Sequence, residues 1–166
     1  MAAAASSSDR WQLWTAERGE LFLLYARQRT RTEEDAQDVL QESLTEAWRR
    51  SQGEIPDNAL VFATIRRRAI DYGRAMDRRQ RREDQAASSV EHWFQPDFTA
   101  GDAHLTVATA LQALPEHLRE VVALTLWGDL SFPEIAEITS VPVPTATSRY
   151  RYALEKLRET LTPLFS

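Results

Sequence analysis

Apolar residues recur at every third or fourth position through most of this chain, and this spacing limits its possible folds more than any other feature. Polar residues fall between them, as in a helix whose apolar side packs against a neighbour. The clearest case is a stripe of apolar and small side chains: Ala36, Val39, Leu40, Ser43, Leu44, Ala47 and Trp48. Thr32 followed by Asp35 resembles a capping box at its start. The pattern predicts an amphipathic helix.

The whole chain is predicted to be all-α, with two small helical domains joined by a flexible linker. The expected order is a disordered leader at 1–9, a helical domain at 10–82, an acidic aromatic linker at 83–102 and a helix-turn-helix domain at 103–166. Ser8 or Asp9 is expected to cap the first helix, which begins near Trp11. The linker has no sustained helical period, and it carries Trp93, Phe94 and Phe98.

The end of the chain has the layout of a helix-turn-helix. A short helix is predicted at 132–139, opened by Ser131 and Glu134, and a longer one follows at about 145–161. In this motif the start of the second helix enters the major groove of DNA. The candidate DNA-binding residues there are Thr145, Thr147, Ser148, Arg149, Arg151 and Tyr152. The alternative is a helical hairpin with a solvated polar face.

Charge is distributed unevenly along the chain. The net charge is −5, yet eight arginines lie between Arg66 and Arg82, and no lysine or arginine occurs from Glu83 through Glu116. Such a concentration of positive charge repels itself unless phosphates or carboxylates neutralise it. Nucleic acid is the favoured partner, and a solvated helix surface is the alternative. The candidate DNA-binding residues here are Arg66, Arg67, Arg74 and Arg78.

Two aromatic residues of the same helix have two possible roles. Phe62 and Tyr72 could stack on unpaired bases, as aromatic side chains do in proteins that bind single strands. They fit the apolar face of the predicted helix equally well. The sequence leaves both roles open.

Several function classes are excluded or disfavoured. The chain has no cysteine, so it forms no disulfide, and no apolar run approaches the roughly 20 residues needed to span a bilayer. It lacks a glycine-rich phosphate loop, and its three histidines are scattered. The carboxylates of Asp35, Asp38, Glu42 and Glu46 recur at helical spacing but lack a closed ligand loop, so they favour a docking surface over a metal site. We predict no catalytic residue, metal or cofactor.

Three stretches together resemble one protein family. Residues 35–48 resemble the region of sigma factors that docks on the clamp of RNA polymerase, and residues 65–72 resemble the helix that reads the downstream promoter element. Segments at 114–121, 130–138 and 145–149 resemble the domain that binds the upstream element. The chain therefore resembles the extracytoplasmic-function type of sigma factor, in the family's order and over nearly its whole length.

The resemblance implies partners and site residues. The expected partners are core RNA polymerase and promoter DNA, with no membrane contact, a cytoplasmic location, and an anti-sigma protein left open. The implied polymerase-binding residues are Asp38, Gln41, Glu42, Thr45 and Trp48. Gln41 and Glu42 should be exposed, while Val39, Leu40 and Leu44 are buried. By the same resemblance, residues 10–82 form sigma region 2 and 103–166 form region 4, and the linker threads the polymerase channel that later carries RNA.

The chain also departs from the family's pattern. Leu60 and Arg67 stand where tryptophan and asparagine are common, and Ser140, Pro144 and Thr147 replace glycine, glycine and lysine. Individual base contacts therefore do not carry over. Two other functions remain open: a helix-turn-helix regulator that binds DNA without polymerase, and an interaction module that sequesters an anti-sigma partner.

Overall fold

The computed structural model describes residues 6–83 and 102–164, without the side chains of 102–106, 108 and 164. Residues 84–101 of the predicted linker, including Trp93, Phe94 and Phe98, lie outside the described residues, whereas Glu83 and Asp102 at its two ends are helical. The chain divides into two compact units, 1–94 and 95–166, and each is considered by itself.

The described residues are helical, with no strand among them, which confirms the predicted all-α class. The first unit contains α1 (Ser7–Arg29), α2 (Glu33–Arg50) and α3 (Asn58–Glu83). The second unit contains α4 (Asp102–Ala113), α5 (Glu116–Leu126), α6 (Phe132–Thr139) and α7 (Val143–Leu161), followed by a 3-10 turn at Thr162–Leu164. None of the helices in these ranges is both long and apolar enough to cross a membrane.

The start of α1 corrects one prediction. Ser6, rather than Ser8 or Asp9, caps the helix: its hydroxyl accepts a hydrogen bond from the Asp9 amide at 3.2 Å, and its amide donates to the Asp9 carboxylate at 3.1 Å. This reciprocal pair satisfies two amides of the first turn. Arg10 also pairs with Glu54 at 3.2 Å, beyond the end of α2. Residues 7–9 are therefore helical, and the prediction of a disordered leader extending to residue 9 was wrong there.

The core of the first unit is largely aromatic. Phe22 and Tyr25 of α1 are buried with Phe62 of α3, and the Phe62 ring meets both of their rings nearly edge-on, at centroid distances of 5.0 and 5.2 Å. Val39 of α2 and Ile65 of α3 complete the centre. Because Phe62 is only 1% exposed, it packs in this core and has no face on which a base could stack.

A second aromatic group closes the end of α2. The ring of Trp48 lies 4.5 Å from Trp11 in an edge-on contact, and Trp11 lies 5.1 Å from Trp14. Gly53, in the turn after α2, has φ +80, and a Cβ there would stand 3.6 Å from the Trp48 ring. The turn needs glycine for its backbone conformation rather than for space.

The second unit has an aliphatic core. Leu114, Leu118 and Val122 pack with Ala153 of α7. Ser131 caps α6, as predicted, by accepting from the Glu134 amide at 3.3 Å. Ser140 ends α6 in the left-handed conformation, with φ 58 and ψ 43. Helix α7 begins at Val143, two residues before the predicted start, since Pro144 is well tolerated in the first turn of a helix.

Candidate nucleic-acid interface

The polar side of α2 is presented much as the sequence predicts. Asp38, Gln41, Glu42 and Thr45 are exposed, and Val39 beneath them is buried. Leu40 and Leu44 are half-buried rather than fully buried. Trp48 differs from the other four candidate residues, because it is half-buried in the group with Trp11. The exposed row therefore consists of Asp38, Gln41, Glu42 and Thr45, which we call the α2 polar row.

Charged side chains join α2 to α3. One Glu46 oxygen accepts a hydrogen bond from Nε of Arg68 at 2.9 Å and forms an ion pair with its Nη2 at 2.7 Å. The other Glu46 oxygen contacts Arg67 of α3 and lies 3.0 Å from Arg50. Arg68 also reaches Glu42 through Nη1, at 2.8 Å. We call this group of Glu42, Glu46, Arg50, Arg67 and Arg68 the interhelical ion-pair network.

The network lowers the pKa of its central residue, Glu46. Burial alone would raise the pKa of Glu46, because it disfavours the charged form. Hydrogen bonds from Arg67 and Arg68 act in the opposite direction and outweigh burial, so the pKa of Glu46 lies below its ordinary value. The carboxylate is therefore held in its charged form, with both oxygens occupied by guanidinium donors.

This arrangement corrects the expected surplus of positive charge on α3. Arg67 and Arg68 are balanced by carboxylates of α2, and Arg79 pairs with Glu83 at 3.1 Å. The acidic residues of α2 were visible in the sequence, but their spacing indicated only a shared helix face. Sequence reasoning placed Glu46 on a docking surface and did not assign Arg50 or Arg68 to a site, since ion pairing across helices depends on how the helices pack.

The remaining predicted residues of α3 lie on both sides of the network. Arg66 is half-buried, whereas Arg74 and Arg78 are exposed and form no ion pair within the described part of the chain. Tyr72 is half-buried, and its hydroxyl hydrogen-bonds to Asp35 of α2, which raises the pKa of Tyr72. Tyr72 therefore links α3 to the first turn of α2.

In the second unit, the predicted residues occupy the first half of α7. Ser148, Arg151 and Tyr152 are exposed and stand three and four positions apart, so they share one side of the helix. Thr145, Thr147 and Arg149 are half-buried, and the Thr147 hydroxyl donates to the Val143 carbonyl at 3.0 Å. Helix α6 is tied to α7 by the rings of Phe132 and Tyr150, whose centroids are 5.5 Å apart.

The chemistry available on these surfaces is that of binding. Guanidinium and hydroxyl groups bind phosphates and base edges, and helices of this kind enter the major groove. Among the described residues, no group of three or more histidine, aspartate or glutamate side chains is placed to hold a metal ion.

Known proteins share this architecture and sequence. Residues 104–157 match the family described as sigma-70, region 4. The RNA polymerase sigma-H factor of Pseudomonas aeruginosa is 30% identical over 147 residues, covering 79% of this chain and 75% of that protein. The sigma factor RpoE of Cereibacter sphaeroides is 31% identical over 135 residues, covering 78% and 72%.

A solved structure agrees in fold. The sigma factor RpoE of Bartonella quintana, crystallised with the anti-sigma factor NepR, matches with a TM-score of 0.69 and 20% identity, over 92% of this chain and 97% of that one. Sigma factors are regulatory proteins and not enzymes, in keeping with surfaces suited to binding. By the extent of these sequence matches, the chain belongs to the extracytoplasmic-function sigma factors, which bind core RNA polymerase and direct transcription initiation.

Proposed function

We propose that α2 docks this sigma factor on core RNA polymerase while α3 and α7 contact promoter DNA. The observation that carries this proposal is the contrast between the two neighbouring helices of the first unit. Helix α2 presents the carboxylates of Asp38 and Glu42 to solvent, and α3 presents Arg74 and Arg78. Opposite charges on adjacent helices suit two different partners, one of them a polyanion.

The polymerase contact is assigned to the α2 polar row. These side chains are exposed and can meet a partner, although Glu42 also accepts a hydrogen bond from Arg68. Trp48 is offered as a polymerase contact through its exposed edge only, because its ring is engaged with Trp11. The upstream promoter element is assigned to the start of α7, chiefly to Ser148, Arg151 and Tyr152.

The polymerase assignment is tested by reversing the charge of Asp38. Asp38→Lys should weaken binding to core polymerase, because it places a cation on the docking surface. Its thermal stability should stay within about 0.5 kcal/mol of the unaltered chain, as for a surface change. Glu17→Lys, an exposed reversal on α1, is the matched control. Equal polymerase affinity for the two variants would contradict the assignment.

The promoter assignment is tested at Arg151, an exposed arginine in the first half of α7. Arg151→Ala should cost about 1–3 kcal/mol of promoter binding by the holoenzyme if the side chain reads a base, with relaxed preference at one position. If Arg151 contacts phosphate, binding should weaken evenly across sequences. Arg158→Ala, near the far end of α7, is the control. Unchanged promoter binding would remove Arg151 from the interface.

The domain assignment extends this proposal to the whole chain. Residues 10–82 serve as region 2, 103–166 as region 4, and the acidic linker at 83–102 follows the channel that later carries RNA. The relatives' shared role supports a site of action in the cytoplasm, where polymerase works, and no catalysis by the chain itself. The anti-sigma protein bound to the Bartonella quintana relative supports a partner of that class here too.

A regulator that binds DNA without polymerase is the alternative. It would use α7 but leave the α2 polar row without a role. Run-off transcription with core polymerase on genomic fragments separates the two, because only a sigma factor restores initiation to the core enzyme. Absence of any transcript, together with tight promoter binding by the free chain, would favour the alternative.

A further inference from the structure

One carboxylate divides the arginines of α3 into two groups. The side chain of Glu46 is only 16% exposed, and its oxygens accept from Arg67 and Arg68. Further along α3, Arg74 and Arg78 have no ion pair within the described ranges. The row of arginines that the sequence presents as a single basic surface is thus split by packing.

We propose that Glu46 is a positioning residue that withholds Arg67 and Arg68 from DNA, so that α3 contacts phosphates through Arg74 and Arg78. The inference rests on the proposed role of α3 in promoter binding. An arginine held by Glu46 can reach a phosphate only by leaving that carboxylate. The abandoned charge would then be largely shielded from water and would lose part of its compensation, with Arg50 still in contact, which is costly. An exposed arginine without a partner needs no such exchange.

The geometry of the network favours this division. Arg68 donates one hydrogen bond to Glu46 and one to Glu42, and its Nη2 forms an ion pair with Glu46, so all three guanidinium nitrogens contact α2. Its side chain is only 33% exposed. Arg67 is half exposed but holds the other oxygen of the same carboxylate. The charges of the two α2 carboxylates therefore offset those of the two α3 guanidinium groups. The pairs add little to the electric field that attracts a polyanion.

Counterion release provides a direct measure. The salt dependence of DNA affinity counts only the cations that neutralise phosphates, with a slope of about −0.9 for each in duplex DNA. The full-length protein is titrated with a fluorescent duplex that lacks promoter sequence, at several salt concentrations. Glu46→Gln removes the charge that holds the two arginines. Its slope should steepen by about 0.9 for each released arginine, up to two.

Matched variants separate positioning from other effects. Glu17→Gln changes the net charge equally on exposed α1, and Glu46→Asp keeps the charge; both should retain the original slope. Adding Arg67→Gln and Arg68→Gln to Glu46→Gln should restore it. A purely structural role for Glu46 would lower thermal stability without altering the slope. If Glu46→Gln and Glu17→Gln give the same slope, the proposal is overturned.

A second measurement does not depend on the folding of the Glu46 variant. With core polymerase and promoter DNA, Arg74→Ala should reduce the salt slope by about 1, whereas Arg67→Ala should leave it unchanged. Equal reductions would overturn the role of Glu46 while supporting DNA binding by α3. No reduction from Arg74→Ala or Arg78→Ala would overturn the DNA-binding role of α3, and this inference with it.

Discussion

The two helical units each place arginines on one long helix, but they use these arginines differently. In the first unit, Arg67 and Arg68 of the 26-residue α3 pair with carboxylates of α2. In the second, Arg149 and Arg151 of the 19-residue α7 form no ion pair with the residues that the structure describes. Arginine in α3 therefore contributes to packing as well as to the DNA binding proposed for it, whereas only the proposed binding role is assigned to arginine at the start of α7.

The cores of the two units also differ in the side chains that fill them. The first unit packs aromatic rings edge to edge and adds charged contacts between helices, while the second packs leucine and valine against Ala153. Helix α3 carries eight arginines beside its apolar residues. The contacts of α3 with α2 therefore include ion pairs at the border of its core, and substitutions should affect the two units unequally.

The largest effect is expected in the aromatic core. Phe62→Ala should destabilise the first unit by about 3–5 kcal/mol, because it removes a fully buried ring that contacts Phe22 and Tyr25. If the units are independent, the second unit should keep its melting transition. Leu118→Ala provides the reciprocal variant, with a loss of about 2–5 kcal/mol confined to the second unit. Hydrogen exchange resolved by segment measures the loss of stability in each unit. If either variant destabilised both units, the units would not be independent.

A smaller effect is expected from charge. Glu46→Ala should destabilise the first unit by about 1–3 kcal/mol, less than for a fully buried pair, because its partners remain partly hydrated. Glu159→Ala, which breaks an exposed pair with Lys156 in α7, should change stability by less than about 0.5 kcal/mol. Thermal denaturation of each variant provides the measurement. Equal losses would show that the network stabilises the first unit no more than an exposed ion pair stabilises the second.

The helices themselves were largely predictable from sequence, because their periodicity and caps are local. Ser131 and Thr32 cap their helices as the pattern indicates. The start of α1 was misplaced because Ser6 lies among alanines and serines that offer no hydrophobic period. The pairing of Glu46 with Arg68 could not be predicted, since the two residues are 22 positions apart and helix register decides whether they meet. The polar row of α2 was predicted, except that Trp48 packs inward.

At low pH, the first unit should lose the stability that the charged Glu46 carboxylate contributes through the interhelical ion-pair network. The pKa of Glu46 is lower in the folded chain than its ordinary value of about 4.3. Its stabilising contribution is therefore complete above that pH and is lost as the pH falls through the lower, folded-state pKa. Glu46→Gln should flatten the decline of stability in that window, as thermal denaturation at several pH values would measure. Glu33, whose pKa is lowered by its hydrogen bonds with Arg27, should retain its own share of the decline.

Small effects are expected at one left-handed turn in each unit, at Gly53 and at Ser140. Gly53→Ala in the first unit should cost about 1 kcal/mol, because its φ is +80 and a side chain is disfavoured there. Ser140→Gly in the second unit should stabilise by about 0.5–1 kcal/mol, because Ser140 adopts φ 58 without the freedom of glycine. Denaturant unfolding measures both. Opposite signs would confirm that only one turn is occupied by its preferred residue.

The ion pairs that Glu46 makes with α3 also determine which segments can be exchanged between proteins. The start of α7, whose arginines form no ion pair with the described residues, is a promising graft, because its proposed DNA-binding side can be exchanged without changing the charge balance behind it. Helix α3 alone is a poor graft, because it would bring Arg67 and Arg68 to a host that lacks Glu42 and Glu46. A chimera designed to change downstream promoter preference should therefore move α2 and α3 as one block.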